Sequence, residues 1–164
     1  MRTALALCLL SLALLGGCGR ETALPSGSNN AHAAPQEATV RSGDVTVRAS
    51  ALQTSALSPA VAQQYGIARD DASVLLLVAV RRGPDGQDSA IPARVSAVAT
   101  DLRGQRRVLE LRELRTGDPG SAQLLDYIGT LDIALPDTLR FELSVAPESG
   151  APTSLQFSRE FYPR

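Results

Sequence analysis

The carboxy-terminal part of the chain has apolar residues at every second position, and this period limits the fold more than any other feature. Four apolar residues alternate with polar ones: Leu139, Phe141, Leu143 and Val145. A period of two places all four side chains on one face of a β-strand, whereas a helix would distribute them around its axis. The pattern therefore predicts a strand with one face on a core and the other in water.

Other segments carry related β-strand patterns. They are Val45–Ser50, Val74–Val80, Ile91–Thr100, Arg107–Arg115, Leu125–Leu131 and Leu155–Phe161. The segment from Val74 to Val80 is continuously apolar, which is typical of a strand covered on both faces. Within Arg107–Arg115 the apolar parity changes between Leu111 and Leu114. We therefore expect a single strand with a β-bulge near Arg112 and Glu113.

One short helix interrupts the strands. Ser58 is suited to its N-cap, Pro59 to its first turn and Gly66 to the position just past its end. Turn sequences at Gly83–Gly86 and Leu102–Gln105 separate neighbouring strands. About seven short antiparallel strands with one connecting helix predict an all-β, immunoglobulin-like β-sandwich, with a small β-barrel as the alternative.

The amino terminus has the order of a bacterial lipoprotein signal. Arg2 precedes an apolar run that is too short to span a bilayer, and Leu15-Gly16-Gly17-Cys18 matches the pattern that lipoprotein signal peptidase accepts. Cys18 would then carry acyl chains such as palmitate and become the first residue of the mature protein. An ordinary secretory cleavage site at Ala31-His32-Ala33 is the alternative.

This signal divides the chain into three parts. We interpret residues 1–17 as a lipoprotein signal peptide, residues 18–39 as the lipidated cysteine with a flexible tether, and residues 40–164 as a single β-sandwich domain. The tether is poor in apolar side chains and therefore unsuited to a packed core. Because Gly19 rather than Asp follows the cysteine, we expect the protein to be lipid-anchored at the outer membrane and to face the periplasm.

Segments of the predicted domain also carry a family resemblance. The segments are Leu57-Ser58-Pro59-Ala60-Val61-Ala62, Tyr65-Gly66-Ile67-Ala68-Arg69, Asp101-Leu102-Arg103-Gly104-Gln105, Leu109-Glu110-Leu111-Arg112-Glu113-Leu114, Phe157 and Phe161-Tyr162. Their order and spacing resemble the bacterial family called domain of unknown function 4426 (DUF4426). The resemblance implies a compact, β-rich exported domain and assigns no activity to it.

The side-chain inventory argues against catalysis. The only histidine, His32, falls in the tether, no lysine is present, and both cysteines, Cys8 and Cys18, precede the predicted domain. Histidine-dependent triads, zinc sites with histidine and Schiff-base chemistry are therefore excluded from the domain. We expect no enzyme activity, cofactor or metal. With a formal net charge of −1 we expect no nucleic-acid partner either.

A few polar residues remain that the core pattern does not explain. They are Arg69, Asp70, Arg103, Gln105, Arg112 and Glu113. We expect Arg69, Asp70, Arg103 and Gln105 to form a partner surface, because arginine suits the capture of carboxylate or phosphate. We expect Arg112 and Glu113 to be structural partners across the bulge.

These observations favour a non-catalytic interaction domain that is anchored by lipid and binds an envelope protein. Loops or a free sheet edge would supply the binding surface, as they do in other immunoglobulin-like modules. Two alternatives remain open: a small carboxylate-dependent periplasmic hydrolase and a chaperone-like accessory protein that binds strands.

Overall fold

The computed structural model describes residues 37–117 and 124–164, all of which lie within one compact unit. The predicted signal peptide, Cys18 and most of the tether lie outside these residues. The strands are β1 Ala38–Ser42, β2 Val45–Gln53, β3 Ser73–Arg82, β4 Ser89–Ala90, β5 Ala93–Thr100, β6 Arg106–Leu109, β7 Arg112–Thr116, β8 Leu124–Asp132, β9 Asp137–Pro147 and β10 Thr153–Phe161. One helix, α1 Pro59–Tyr65, follows a short 3-10 turn at Thr54–Ala56.

The strands form two antiparallel sheets. The six-stranded sheet has the order β1-β2-β3-β8-β7, with β4 paired to the end of β3, and the four-stranded sheet has the order β10-β9-β5-β6. Apolar residues from both sheets meet between them in one core. The predicted all-β sandwich is confirmed, and the described strands do not form the closed barrel that was its alternative.

The core between the sheets follows the alternation in the sequence. Leu139, Phe141, Leu143 and Val145 are all buried, and Phe141 is 0% exposed. Phe141 lies opposite Phe157 of β10, and the two rings stack with centroids 5.0 Å apart. This pair joins the two strands by side-chain packing as well as by backbone hydrogen bonds.

A second, smaller apolar cluster lies on the outer face of the six-stranded sheet. It contains Leu57, Ala62, Leu75, Leu114 and Ile128, and it places α1 over β3, β7 and β8. The alternate residues of β3 belong to the core between the sheets. The prediction that this strand is covered on both faces is therefore confirmed.

Local sequence sets the ends of α1 as predicted. The Ser58 hydroxyl accepts a hydrogen bond from the Val61 N–H at 3.2 Å. Gly66 has a φ of 64°, which L side chains rarely adopt, and the Ile67 N–H then donates to the Ala62 carbonyl at 2.9 Å. This is the pattern of a Schellman motif, and it turns the chain away from the helix axis.

The structure corrects one predicted strand. Arg107–Arg115 is not a single strand with a bulge, because β6 belongs to the four-stranded sheet and β7 to the six-stranded sheet. Glu110 and Leu111 connect the two, and we call this pair the crossover. Leu109 packs in the core between the sheets, whereas Leu114 packs under α1. The change of apolar parity thus marks a change of sheet.

Two strands carry too little apolar pattern to be predicted. β4 has only the residues Ser89 and Ala90. β1 begins at Ala38, so the folded domain starts before residue 40, and the last residues assigned to the tether are a strand. Val40 is the only large apolar residue in β1, and it packs against the core together with Ala38.

Candidate functional site

The crossover leaves one end of β8 without a neighbour. β7 pairs with β8 only from Arg112 opposite Ile128 to Thr116 opposite Leu124. β8 continues to Asp132. On its other side, its residues from Asp126 to Asp132 pair with β3. Gly129–Asp132 therefore has a strand on one side only, and we call this segment the free edge of β8.

Gly129 allows the crossover to approach the backbone of β8. A Cβ atom at this position would lie 2.7 Å from the Glu110 carbonyl oxygen and 2.8 Å from Cδ2 of Leu111. Such distances are shorter than van der Waals contact, so a side chain here would displace the crossover. The glycine thus makes room at the point where the chain crosses from the four-stranded sheet to the six-stranded sheet.

The hydrogen-bonding direction of the free edge follows from one contact. The Ile133 N–H donates to the carbonyl of Ala72 at 2.7 Å, just before the start of β3. In an antiparallel strand the backbone groups of alternate residues point to opposite sides, so those of Thr130 and Asp132 point away from β3. Consistent with this, the Asp132 carbonyl accepts a hydrogen bond from the Arg107 guanidinium. The Thr130 N–H and carbonyl and the Asp132 N–H have no partner among the described residues.

A cleft of about 740 Å³ lies beside this edge. Its floor is the outer face of β3 and β8, which presents Ser73, Thr130 and Asp132. One wall is the loop from Gly66 to Asp70 after α1, and the other runs from Glu110 to Arg112. We call this space the β8 cleft. It contains exposed backbone, carboxylates and a few apolar atoms.

Arginines around the β8 cleft donate to backbone carbonyls. Arg112 Nη2 donates to the Tyr65 carbonyl in the last turn of α1, where the helix supplies no partner. Arg69 Nη2 donates to the Ser55 carbonyl at 2.8 Å. Both guanidinium groups thus bind backbone carbonyls, and the use of Arg69 in a partner surface stays a prediction.

The carboxylates of the β8 cleft form few hydrogen bonds or ion pairs among the described residues. Asp70 Oδ1 accepts from the Ala72 N–H at 2.6 Å, which fixes the turn before β3. The carboxylates of Glu110 and Asp132 have no hydrogen bond or ion pair within residues 37–117 and 124–164. Among the described residues that line the cleft, Arg112 is basic and Asp70, Glu110 and Asp132 are acidic, so this lining carries a net negative charge. No group of three or more metal-ligating side chains occurs in the described part of the chain.

The predicted site residues fall into different places. Asp70 and Arg112 line the β8 cleft together, although they were assigned to separate groups. Arg103 and Gln105 line a second depression of about 310 Å³, where Asp101 Oδ1 accepts from their N–H groups at 2.9 Å and 2.8 Å. The two depressions adjoin where Arg107 contacts Asp132.

Arg112 and Glu113 are not bonded to each other. Consecutive residues of a strand project to opposite faces, and β7 follows this rule. Arg112 lies opposite Ile128 on the outer face, whereas Glu113 accepts from Arg115 Nη2 at 2.8 Å. The expected cross-strand pair at a bulge is absent because the bulge itself is absent.

The sequence analysis did not single out Thr130 or Asp132, and it did not place Glu110 beside them. Their position depends on β6 and β7 belonging to different sheets, which the pattern did not predict. One signal was available: Gly129 interrupts an apolar strand, and such a glycine often marks a close approach of another backbone.

Comparison with known families agrees with this fold. The family model described as a domain of unknown function (DUF4426) matches residues 39–164. The chain belongs to the DUF4426 family. A DUF4426 family protein from Pseudomonas aeruginosa PAO1 has a crystal structure with a TM-score of 0.58 and 26% sequence identity, and the match covers 78% of this chain and 96% of that one.

A more distant structure shares the fold. FetP of uropathogenic Escherichia coli strain F11 has a TM-score of 0.53 and 13% identity, with 79% of this chain and 97% of that one covered. No curated protein matches this chain. Within the residues that the structure describes, no helix has the length and apolar character required to cross a membrane.

Proposed function

We propose that this DUF4426 protein is a non-catalytic interaction module of the bacterial cell envelope, which binds a protein partner through the β8 cleft. The observation that carries the proposal is the open cleft beside a strand edge that retains free backbone hydrogen-bonding groups. Exposed edges of this kind are uncommon because they promote association with other chains. A partner that binds at the free edge of β8 explains why this edge is left exposed.

The proposed location is the periplasmic side of the outer membrane, with the domain anchored by acyl chains on Cys18. The lipoprotein signal at Leu15-Gly16-Gly17-Cys18 supports the anchor. FetP, which shares the fold, was expressed in the periplasm of Escherichia coli. This likeness is compatible with an envelope location.

The proposed absence of catalysis rests on side-chain chemistry. Residues 40–164 contain no cysteine, histidine or lysine. Nucleophile and base pairs that require cysteine, histidine or lysine therefore cannot form within the domain. The polar groups of the β8 cleft are backbone amides, hydroxyls, carboxylates and the Arg112 guanidinium, which suit hydrogen bonding to a polypeptide.

The docking site is tested by blocking the cleft in intact cells. Ala68 is exposed on the loop wall, and Ala68→Trp would place an indole in the β8 cleft. Ala60→Trp adds the same side chain to an exposed helix position outside the cleft. After chemical crosslinking and mass spectrometry of envelope proteins, we expect a specific partner with the unmodified chain and with Ala60→Trp. Equal crosslinking with Ala68→Trp would contradict the proposed site.

The anchor is tested separately at the cysteine. Replacing Cys18 with Ala removes the thiol that would receive the diacylglyceryl group. We expect an uncleaved precursor and complete loss of labelling by a fatty-acid analogue, measured by gel mobility and fluorescence. A Cys8→Ala variant is the control, because Cys8 lies inside the predicted signal peptide. Normal maturation of Cys18→Ala into a soluble protein would overturn the lipoprotein assignment.

A further inference from the structure

Building on the proposed function, we propose that the partner contributes an extended, positively charged segment that pairs with the free edge of β8 as an added strand. The inference joins two independent observations. One is the direction of the unpaired backbone groups at Thr130 and Asp132, and the other is the charge of the carboxylates beside them.

The backbone observation defines the binding mode. β7 stops pairing at Ile128, so no described strand pairs with Thr130 and Asp132 on that side. Neighbouring strands lie about 4.8 Å apart, and a peptide at that spacing reaches the Thr130 N–H and carbonyl together with the Asp132 N–H. Main-chain hydrogen bonds then provide affinity for any extended sequence, as in other cases of strand addition.

The edge is short, which limits the segment that it accepts. Arg107 already occupies the Asp132 carbonyl, and the crossover closes the other end at Gly129. Only a few ladder hydrogen bonds are therefore available, and the net contribution of each to affinity is modest. Side-chain contacts must supply the rest of the affinity and all of the sequence preference.

Charge determines which side chains fit. Thr130 and Asp132 lie on the same outer face, and residues i and i+2 of an added strand face the same way. Glu110 and Asp132 have no bonded partners among the described residues, whereas the Arg112 guanidinium donates to Tyr65. Lysine or arginine at alternate positions of the partner would complement the free carboxylates. A segment with acidic residues there would be repelled.

The direct test uses a defined probe and the full-length chain in detergent micelles. The probe is a fluorescent, acetylated eight-residue peptide of alternating lysine and valine, and the matched control alternates glutamate and valine. We expect saturable anisotropy changes with the lysine peptide only. We also expect slower hydrogen exchange at Thr130 and Asp132 when that peptide is bound, measured by mass spectrometry of overlapping fragments.

One substitution separates the backbone contact from the side chain. Thr130→Pro removes an N–H that points away from β3, so the pairing between β3 and β8 is retained. Thr130→Ala removes the hydroxyl and keeps the N–H. We expect Thr130→Pro to weaken binding of the lysine peptide by about tenfold and Thr130→Ala to change it by less than about twofold. Equal affinity of the two variants would overturn strand addition.

A modified peptide tests the same contact without altering the protein. N-methylation of alternate amides removes the donors that an added strand needs, and we expect it to abolish binding. The double variant Glu110→Gln with Asp132→Asn tests the charge, and we expect weaker binding of the lysine peptide and a smaller difference between the two peptides. Unchanged binding in either experiment would overturn the inference.

The outcomes distinguish this inference from the proposed function. Loss of envelope crosslinking with Ala68→Trp but not with Thr130→Pro would mean that the β8 cleft binds its partner without strand addition. Retained crosslinking in both variants would reject the cleft as the docking site as well. Dimerisation of the full chain that Thr130→Pro abolishes, with no binding of the lysine peptide, would assign the edge to a second copy of this chain.

Discussion

The two lateral sides of the sandwich are closed in different ways. On one side β1 contacts β10, and Gln53 at the end of β2 joins the carboxy terminus to the rest of the domain. Gln53 Nε2 donates to the Asp71 carbonyl at 2.8 Å and to the Tyr162 carbonyl at 2.9 Å. On the other side the crossover connects the sheets, and β8 keeps a free edge. We call these the closed side and the open side.

The two sides differ in the side chains that donate hydrogen bonds to backbone carbonyls. Gln53 is 6% exposed, so its contacts on the closed side are protected from solvent. On the open side arginine side chains perform this role, because Arg107 donates to the Asp132 carbonyl and Arg112 to the Tyr65 carbonyl. Arginine donates hydrogen bonds to carbonyls that no neighbouring strand reaches. Because it has no acceptor, it leaves the adjacent N–H groups of β8 unpaired. The open side is therefore the side on which described backbone N–H groups of β8 remain unpaired.

The largest effect is expected in the core beside the closed side. Phe141→Ala removes a fully buried ring that stacks on Phe157, and we expect the free energy of unfolding to fall by about 3 to 5 kcal/mol. Leu102→Ala is the control, since Leu102 is 79% exposed and should change stability by less than about 0.5 kcal/mol. Urea unfolding followed by circular dichroism measures both. A cost below about 1 kcal/mol for Phe141→Ala would contradict the packing.

The next effect is expected where the open side begins. Gly129→Ala places a methyl group against the Glu110 carbonyl and Leu111, and we expect a loss of about 1 to 3 kcal/mol together with displacement of the crossover. Thr130→Ala, at the exposed neighbouring position, should cost less than about 0.5 kcal/mol. Unfolding curves give the stability, and faster hydrogen exchange at Arg112 would report the displacement. A neutral Gly129→Ala would show that the crossover adapts freely.

Apart from the edge strand β1, the sequence predicted the closed side better than the open side. Periodicity located β2, β3, β9 and β10 because each of these strands has at least one regularly buried face. The helix α1 was also located, because Ser58, Pro59 and Gly66 mark its two ends through local backbone preferences. Such signals depend on neighbouring residues alone, and they need no knowledge of how the sheets are joined.

The candidate site depends on connections that periodicity does not encode. The parity change before Leu114 was read as a bulge, because a bulge and a change of sheet alter the pattern in the same way. Arginine side chains also reach many carbonyls, so the sequence did not identify Tyr65 as the partner of Arg112. Tertiary contacts between distant segments decide both points.

A smaller effect is expected from an arginine of the open side. Arg112→Gln removes the donor to the Tyr65 carbonyl, where a positive charge near a helix end is also favourable, and we expect a loss of about 1 kcal/mol. Arg103→Gln is the matched control, because the contacts of Arg103 in the described structure involve its backbone N–H. Thermal unfolding of both variants checks the difference. Equal stability of the two would mean that water replaces the guanidinium without cost.

The smallest expected effect on the free energy of unfolding compares Tyr127 with Tyr162, and it occurs only at alkaline pH. Burial raises the pKa of Tyr127 on the open side above its ordinary value of 10.0, although the hydrogen bond from the Ala93 N–H opposes this shift. The pKa of Tyr162 on the closed side is raised by its hydrogen bond to Glu160, and this side chain is exposed. Exclusion of solvent disfavours the charged form of the Tyr127 phenol, whereas the pKa of the exposed Tyr162 is raised mainly by its hydrogen bond.

Linkage gives the sign of the pH dependence. Above pH 10 the unfolded state releases the Tyr127 proton while the folded state retains it, so the folded state binds more protons and the free energy of unfolding falls as pH rises. Stability is fully present below the unfolded pKa and is lost as pH passes through the folded pKa. We expect Tyr127→Phe to reduce this alkaline decline more than Tyr162→Phe, in urea unfolding from about pH 7 to about pH 11. If Tyr162→Phe has the larger effect, the closed side rather than the open side governs alkaline stability.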